Sequence, residues 1–100
     1  MANFAFFSQI LSLNTALDTG EGVPISTGIL ADDRSGLQVL VTAYAWQTQP
    51  ERVYVVNVSN VNMVTNTGGG KINLNYRLTN LTANHQPVKH FRLNYLAIWP

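Results

Sequence analysis

Two histidines and five carboxylates are the residues best suited to chemistry, and their spacing does not form a reaction centre. His85 and His90 are five positions apart, so on extended backbone their side chains point to opposite faces. A catalytic zinc ion needs a third protein ligand, and no Asp or Glu lies C-terminal to Glu51. We therefore predict no metal site and no cofactor.

The acidic and glycine-rich motifs are typical of turns. Asp32 and Asp33 stand shortly before Gly36, where turn formation explains them more simply than a glycosidase pair across a cleft. Gly68-Gly69-Gly70-Lys71 lacks the Ser or Thr of a phosphate loop, and Ile72 begins a strand pattern where such a loop needs a helix. No catalytic residue is predicted, and we do not expect an enzyme.

Composition narrows the class of protein further. The chain has 100 residues, 46% hydrophobic and 11% charged, with no cysteine and a net charge of +1. This length indicates a single domain spanning residues 1–100. The absence of cysteine excludes disulfides and thiol chemistry, and the balanced charge argues against a nucleic-acid partner. With 11 Asn and 9 Thr residues, the weakly charged surface suits packing against copies of the chain or against glycans.

Strands must position whatever site exists, and the second half of the chain predicts them most clearly. Residues 71–79 alternate apolar and polar side chains over eight positions, as in a strand with one buried and one wet face. Residues 52–64 form a longer pattern in which Val61 and Met63 are out of phase with Tyr54–Val58. A bulge near Ser59–Asn60 would bring them back onto one apolar face.

Two further strand patterns carry apolar residues on both faces. They cover residues 36–46 and 89–99, and each is expected to be central or covered on both sides. Loops rich in Gly, Pro, Asn and Asp separate these runs, which favours a meander or a sandwich.

The first third permits two interpretations. Phe6, Ile10, Leu13 and Leu17 match a helical stripe, but the alternation around Leu11–Asn14 favours extended structure for residues 4–17. This segment could also be an arm, residues 1–17, that crosses onto a neighbouring subunit. Neither a signal peptide nor a membrane span is recognised.

Residues 53–99 resemble the small β-sandwiches of H-type lectin-like modules and of phage tail or fibre tips. The segments that carry the resemblance are Val53-Tyr-Val-Val-Asn-Val, Ile72-Asn-Leu-Asn-Tyr-Arg-Leu and Phe91-Arg-Leu-Asn-Tyr-Leu-Ala-Ile-Trp. The resemblance implies an all-β, antiparallel sandwich of jelly-roll or lectin-like type. It also implies a virion or extracellular location.

Two functions are expected from these observations. The first is a non-enzymatic, self-assembling structural protein, such as a capsid, decoration or tail component, whose partners are its own copies or other assembly subunits. The second is a carbohydrate-binding adhesion module. The residues expected at a subunit interface are Phe4, Phe6, Phe7, Ile10 and Trp99, and those expected at a glycan site are Trp46, Asp32 and Asp33.

Overall fold

The chain folds into two packed antiparallel sheets. A computed structural model describes residues 3–30, 36–46, 48–65 and 72–100, without the side chains of Ile29, Leu30 and Thr65. The six strands are β1 (Asn3–Leu17), β2 (Gly22–Leu30), β3 (Gln38–Ala45), β4 (Val56–Thr65), β5 (Ile72–Asn80) and β6 (Val88–Trp99). Sheet I has the order β1-β6-β3 and sheet II the order β2-β5-β4. The predicted all-β, antiparallel sandwich is confirmed.

The strand order follows a nested pattern. The first strand, β1, pairs with the last, β6, and the second strand, β2, pairs with β5. The two middle strands complete the sheets, since β3 pairs with the other edge of β6 and β4 with the other edge of β5. This is the pairing of a long hairpin wrapped into two sheets, the arrangement of a jelly roll. The described residues form six strands, against eight in the usual jelly roll.

The central strand of each sheet supplies most of the core. The buried apolar residues of β5 are Ile72, Leu74, Tyr76 and Leu78, and those of β6 include Phe91, Leu93, Tyr95 and Ala97. Both sets recur at every second position, because alternate side chains of a strand point to opposite faces. The alternation predicted for residues 71–79 is therefore confirmed.

A β-bulge corrects the phase of β4. Its register with β5 shifts between Ser59 and Asn62, where β4 contains one residue more than its partner. Asn60 there has a φ of 54°, in the left-handed region that Asn tolerates better than most residues. Beyond the bulge Met63 is opposite Leu74 on the inner face, so the bulge predicted near Ser59–Asn60 is confirmed.

The expectation that residues 36–46 are central or covered on both faces is wrong. β3 is an edge strand of sheet I, and its outward side chains remain open to solvent. Leu40 is 59% exposed and Tyr44 47% exposed. The apolar residues on this outer face are therefore not needed for the core of the sandwich.

The N-terminal segment is a strand. β1 pairs with β6 of the same chain from Asn3 to Ser12, and its register shifts before Leu17 pairs with Val88. The extended structure favoured for residues 4–17 is confirmed. An exchange of this segment between subunits stays a prediction.

A buried polar corner ties the loops at one end of the sandwich. The Asn80 side chain is fully buried, and its Nδ2 donates to the carbonyl oxygens of Leu17 and Gln86 at 2.8 and 2.9 Å. Its Oδ1 accepts from the Thr82 backbone N–H at 2.9 Å, and the Thr82 carbonyl accepts from the Thr19 hydroxyl. Because buried polar groups need partners, this network fixes how β1 passes into β2.

The predicted turns are only partly described. The turn at residues 32–36 is described at Gly36 alone, whose φ is +75°. The glycine-rich tip at residues 67–70 lies outside the described residues. No helix of membrane-spanning length and apolarity occurs in the described ranges.

Candidate functional site

The outer face of sheet I is the main apolar surface of the molecule. The strand registers place its side chains in cross-strand rows, among them Phe4–Ile98 and Phe6–Leu96–Leu40. We call the outward apolar set the apolar face: Phe4, Phe6 and Ile10 of β1, Leu40 and Tyr44 of β3, and Leu96 and Ile98 of β6. A polar row, Ser8–Asn94–Thr42, crosses it.

Exposure distinguishes this surface from ordinary scattered apolar residues. Phe4 is 75% exposed, Phe6 63% and Leu40 59%, and the registers make them neighbours or near neighbours through β6. Single exposed apolar residues are common, but a contiguous patch on a flat sheet is typical of an interaction surface.

A shallow cavity lies within the apolar face. Its volume is about 230 Å³, and its lining residues are Phe6, Leu40, Thr42, Asn94 and Leu96. Most of the lining is apolar, so a hydrocarbon or aromatic group fits its chemistry better than a charged one.

The outer face of sheet II has the opposite chemistry. Its outward side chains are mostly amides and hydroxyls, and we call this set the amide face: Ser26 of β2, Asn57, Ser59 and Asn62 of β4, and Asn73, Asn75, Arg77 and Thr79 of β5. Among these residues only Arg77 is charged. It is exposed.

A pair of tyrosines connects the two sheets through the core. The hydroxyl oxygens of Tyr76 and Tyr95 are 2.6 Å apart, and the rings meet edge to face with centroids 6.0 Å apart. Gln9 Nε2 donates to the Tyr95 hydroxyl at 3.3 Å. Burial raises the pKa of both tyrosines, and the shared hydrogen bond raises that of Tyr76 further while opposing the rise at Tyr95. Their buried hydroxyls stay protonated, which suits a structural role.

The two histidines do not meet. His85 Nδ1 lies 3.5 Å from Asp18 Oδ2 in exposed loops, whereas His90 Nδ1 is 2.9 Å from the Ser12 hydroxyl on the surface of sheet I. Within the ranges that the structure describes, no three His, Asp or Glu side chains gather into a metal site.

The residues predicted for a subunit interface divide between two faces. Phe4, Phe6 and Ile10 lie on the apolar face, whereas Phe7 is opposite Tyr95 on the inner face of sheet I. Trp99 is half-buried at the end of β6, opposite Asn3.

Sequence analysis missed Leu40 and Leu96 as surface residues. The available signal was the apolar character of both faces of residues 36–46 and 89–99. It predicts strands that are central or covered on both faces; β6 is central, whereas β3 is an edge strand whose outer face is open.

The predicted glycan residues are not brought together by any described contact. Trp46 is half-buried just after β3, where its backbone N–H donates to the His90 carbonyl at 2.8 Å. Asp32 and Asp33 lie outside the described residues.

Comparison with known proteins yields no matching family model, no matching curated protein and no matching solved structure. The resemblance of residues 53–99 to lectin-like and tail-fibre modules therefore stays a prediction.

Proposed function

We propose that this protein is a non-enzymatic structural subunit that self-associates through the apolar face. The observation that carries the proposal is the exposure of Phe4, Phe6 and Leu40 on one face of sheet I. Water contact with these side chains is unfavourable, by about 25 cal/mol for each Å² of apolar area. A second copy of the chain can remove that contact.

The size of the apolar face fits an interface. Taking about 200 Å² for a large side chain, the exposed fractions of Phe4, Phe6, Ile10, Leu40 and Tyr44 amount to roughly 600 Å². The largest apolar patch on a monomeric protein is about 300–600 Å², and a standard interface buries about 800 Å² on each partner. With the polar row and the half-buried Leu96 and Ile98 included, one sheet face supplies that area.

The partner is a second copy of the chain, because one apolar face is complementary to another identical apolar face. Two identical sheet faces can pack about a two-fold axis, which makes the contact isologous and closed. The 230 Å³ cavity lined by Phe6, Leu40 and Leu96 then offers a place for an apolar side chain of the second copy. Arg92, between Ile10 and Tyr44, and the exposed Lys89 near the start of β6 are the Lys and Arg residues of the described strands of sheet I, so repulsion between copies is small.

The narrower form of the proposal is a virion or phage component such as a capsid, decoration or tail subunit. Jelly-roll sandwiches occur in viral capsid and lectin domains, and fold analogy alone does not fix function. A weakly charged surface rich in Asn and Thr suits the close contacts of an assembly.

Sedimentation velocity over a concentration series tests the proposal. We expect a reversible shift from monomer to dimer, or to a larger symmetric assembly, between low micromolar and hundreds of micromolar protein. Electron micrographs of the concentrated sample then show whether assembly continues into particles or fibres. A chain that stays monomeric over the whole series contradicts the proposal.

A further inference from the structure

The amide face contains a groove that the self-association of sheet I does not use. Its volume is about 490 Å³, within the range of about 300–1,000 Å³ that small-molecule sites occupy. All three strands of sheet II contribute to it: Pro24 and Ser26 from β2, Asn75 and Arg77 from β5, and Asn60 and Asn62 from β4.

The β4 bulge forms one wall of the groove. The extra residue at Asn60–Val61 removes this stretch from the regular ladder with β5, and Asn60 adopts its left-handed φ of 54° there. Bulges in edge strands commonly redirect side chains next to binding sites. Here the bulge brings Asn62 opposite Asn75, so two amides that line the groove stand side by side.

The amides retain hydrogen-bonding capacity. Asn62 Nδ2 donates to the Asn60 carbonyl at 3.0 Å, and Asn75 Nδ2 makes only a long contact of 3.4 Å with Asn62 Oδ1. Within the described part of the chain, neither Oδ1 of Asn75 nor the Ser26 hydroxyl takes part in a hydrogen bond. An amide offers both donors and an acceptor, which is the combination that neighbouring sugar hydroxyls require.

Arg77 supplies a positive charge at the β2 side of the groove. Its NH2 group lies 3.4 Å from the Gly22 carbonyl oxygen, and a Cβ on Gly22 would be only 3.0 Å from Arg77 Nε. The missing side chain of Gly22 therefore gives the guanidinium room to lie over β2. No carboxylate of the described residues pairs with it, and a guanidinium binds a carboxylate through two parallel hydrogen bonds.

We propose that this groove binds an acidic saccharide, with the sugar carboxylate on Arg77 and ring hydroxyls on the amides of Asn62 and Asn75. A nucleic acid fits less well, because the described outward residues of sheet II include one cation and no aromatic side chain for base stacking. An acidic peptide is the competing ligand, because it also carries carboxylates and backbone donors and acceptors, and the test below distinguishes it from the sugar. The groove is a different location from Trp46, Asp32 and Asp33.

The test uses three probes that differ in one feature each. D-glucuronate and D-glucose differ only in the carboxylate, and acetate supplies the carboxylate without the sugar. Titrations monitored by ¹H–¹⁵N spectra follow the side-chain amides of Asn62 and Asn75 directly. We expect glucuronate to shift both amide signals at millimolar concentration, with glucose and acetate each binding at least about 10-fold more weakly.

Substitutions in the groove show which side chains bind the carboxylate and which bind the sugar hydroxyls. Arg77→Gln should weaken glucuronate binding by about 10-fold or more, as expected for loss of a charged hydrogen bond, and leave glucose binding unchanged. Asn75→Ala should weaken both sugars. Asn57→Ala is the matched control, because Asn57 lies on the same face outside the groove.

Three outcomes overturn the proposal. They are unshifted Asn62 and Asn75 amides with glucuronate, equal binding of acetate and glucuronate, and a glutamate-rich peptide that binds the groove more tightly than the sugar. Because the groove is on sheet II, a Leu40→Glu variant of sheet I should bind glucuronate like the wild type. Sugar binding and self-association are thus tested separately.

Discussion

The two outer faces of the sandwich share strand geometry and differ in chemistry. Outward positions of β5 are Asn73, Asn75, Arg77 and Thr79, whereas the end of β6 presents Leu96 and Ile98 beside Phe4, Phe6 and Leu40. Both central strands bury their inward side chains equally well. The folded core therefore requires neither outer face to be apolar.

The difference also separates two modes of recognition. An apolar sheet gains free energy from area removed from water and needs little directional chemistry. The groove on sheet II offers placed donors and acceptors and one charge, which discriminate among ligands. We propose that the apolar face drives assembly and that the groove of the amide face selects the ligand.

The largest expected effect comes from placing the same charge on each face. Leu40→Glu buries an unpaired carboxylate in the proposed interface and should weaken self-association by about 100-fold or more. Asn57→Glu puts that charge on the amide face and should change self-association by less than about 2-fold. Sedimentation equilibrium of both variants makes the comparison, and equal effects would show that the apolar face is not the interface.

Alkaline pH should unfold the sandwich and so disrupt both faces together, because the two sheets share one core. Burial raises the pKa of Tyr76 and Tyr95, so the folded chain retains protons that the unfolded chain releases near pH 10. The contribution of the two tyrosines to the free energy of unfolding is then constant up to that pH. Above it, stability falls by about 1.4 kcal/mol per pH unit for each tyrosine.

Chemical denaturation at pH 8 to 11 measures this slope. Tyr76→Phe removes one of the two buried hydroxyls and should reduce the slope by the contribution of one tyrosine. It should also lower the stability at neutral pH by about 1 kcal/mol, because the Tyr95 hydroxyl loses its partner at 2.6 Å. A wild-type stability that is flat to pH 11 would contradict the structural role of the pair.

A smaller effect is expected from salt, which should change ligand binding on the amide face and self-association on the apolar face differently. Raising sodium chloride from about 0.01 M to about 0.3 M should weaken glucuronate binding several-fold, since ions screen the exposed Arg77 charge. Self-association through the apolar face should not weaken over the same range. Isothermal titration and sedimentation in matched buffers measure the two responses, and parallel weakening would remove the distinction between the faces.

The sequence predicts the elements better than it predicts their neighbours. The alternation of residues 71–79 predicts β5 because one face is apolar and the other polar, which leaves a single arrangement. The bulge at Ser59–Asn60 was also predictable, since Val61 and Met63 could not otherwise join the apolar face. These features depend only on local pattern.

The position of β3 depends on the whole chain. Its residues are apolar on both faces, which is equally typical of a strand covered by a second layer and of an edge strand with an exposed apolar surface. Only the register Leu40–Leu96–Phe6 shows that three apolar residues form an open outer row. That register is set by strand order, which the local sequence does not contain.

The groove on sheet II was beyond sequence analysis for the same reason. Asn62 and Asn75 are 13 positions apart and Ser26 is far from both, so only the pairing of β2, β5 and β4 brings them together. The prediction of Phe4, Phe6 and Ile10 used a local apolar segment, and the structure places these three on one face.

Thiol reactivity at two introduced cysteines is the most direct test of the apolar face as an interface, because the chain has no cysteine of its own. Thr42→Cys lies in the polar row of the apolar face, and Asn57→Cys lies on the amide face. The account predicts that labelling of the cysteine at position 42 slows about 10-fold or more as protein concentration rises, while labelling at position 57 stays constant. Equal, concentration-independent labelling at both positions would contradict it.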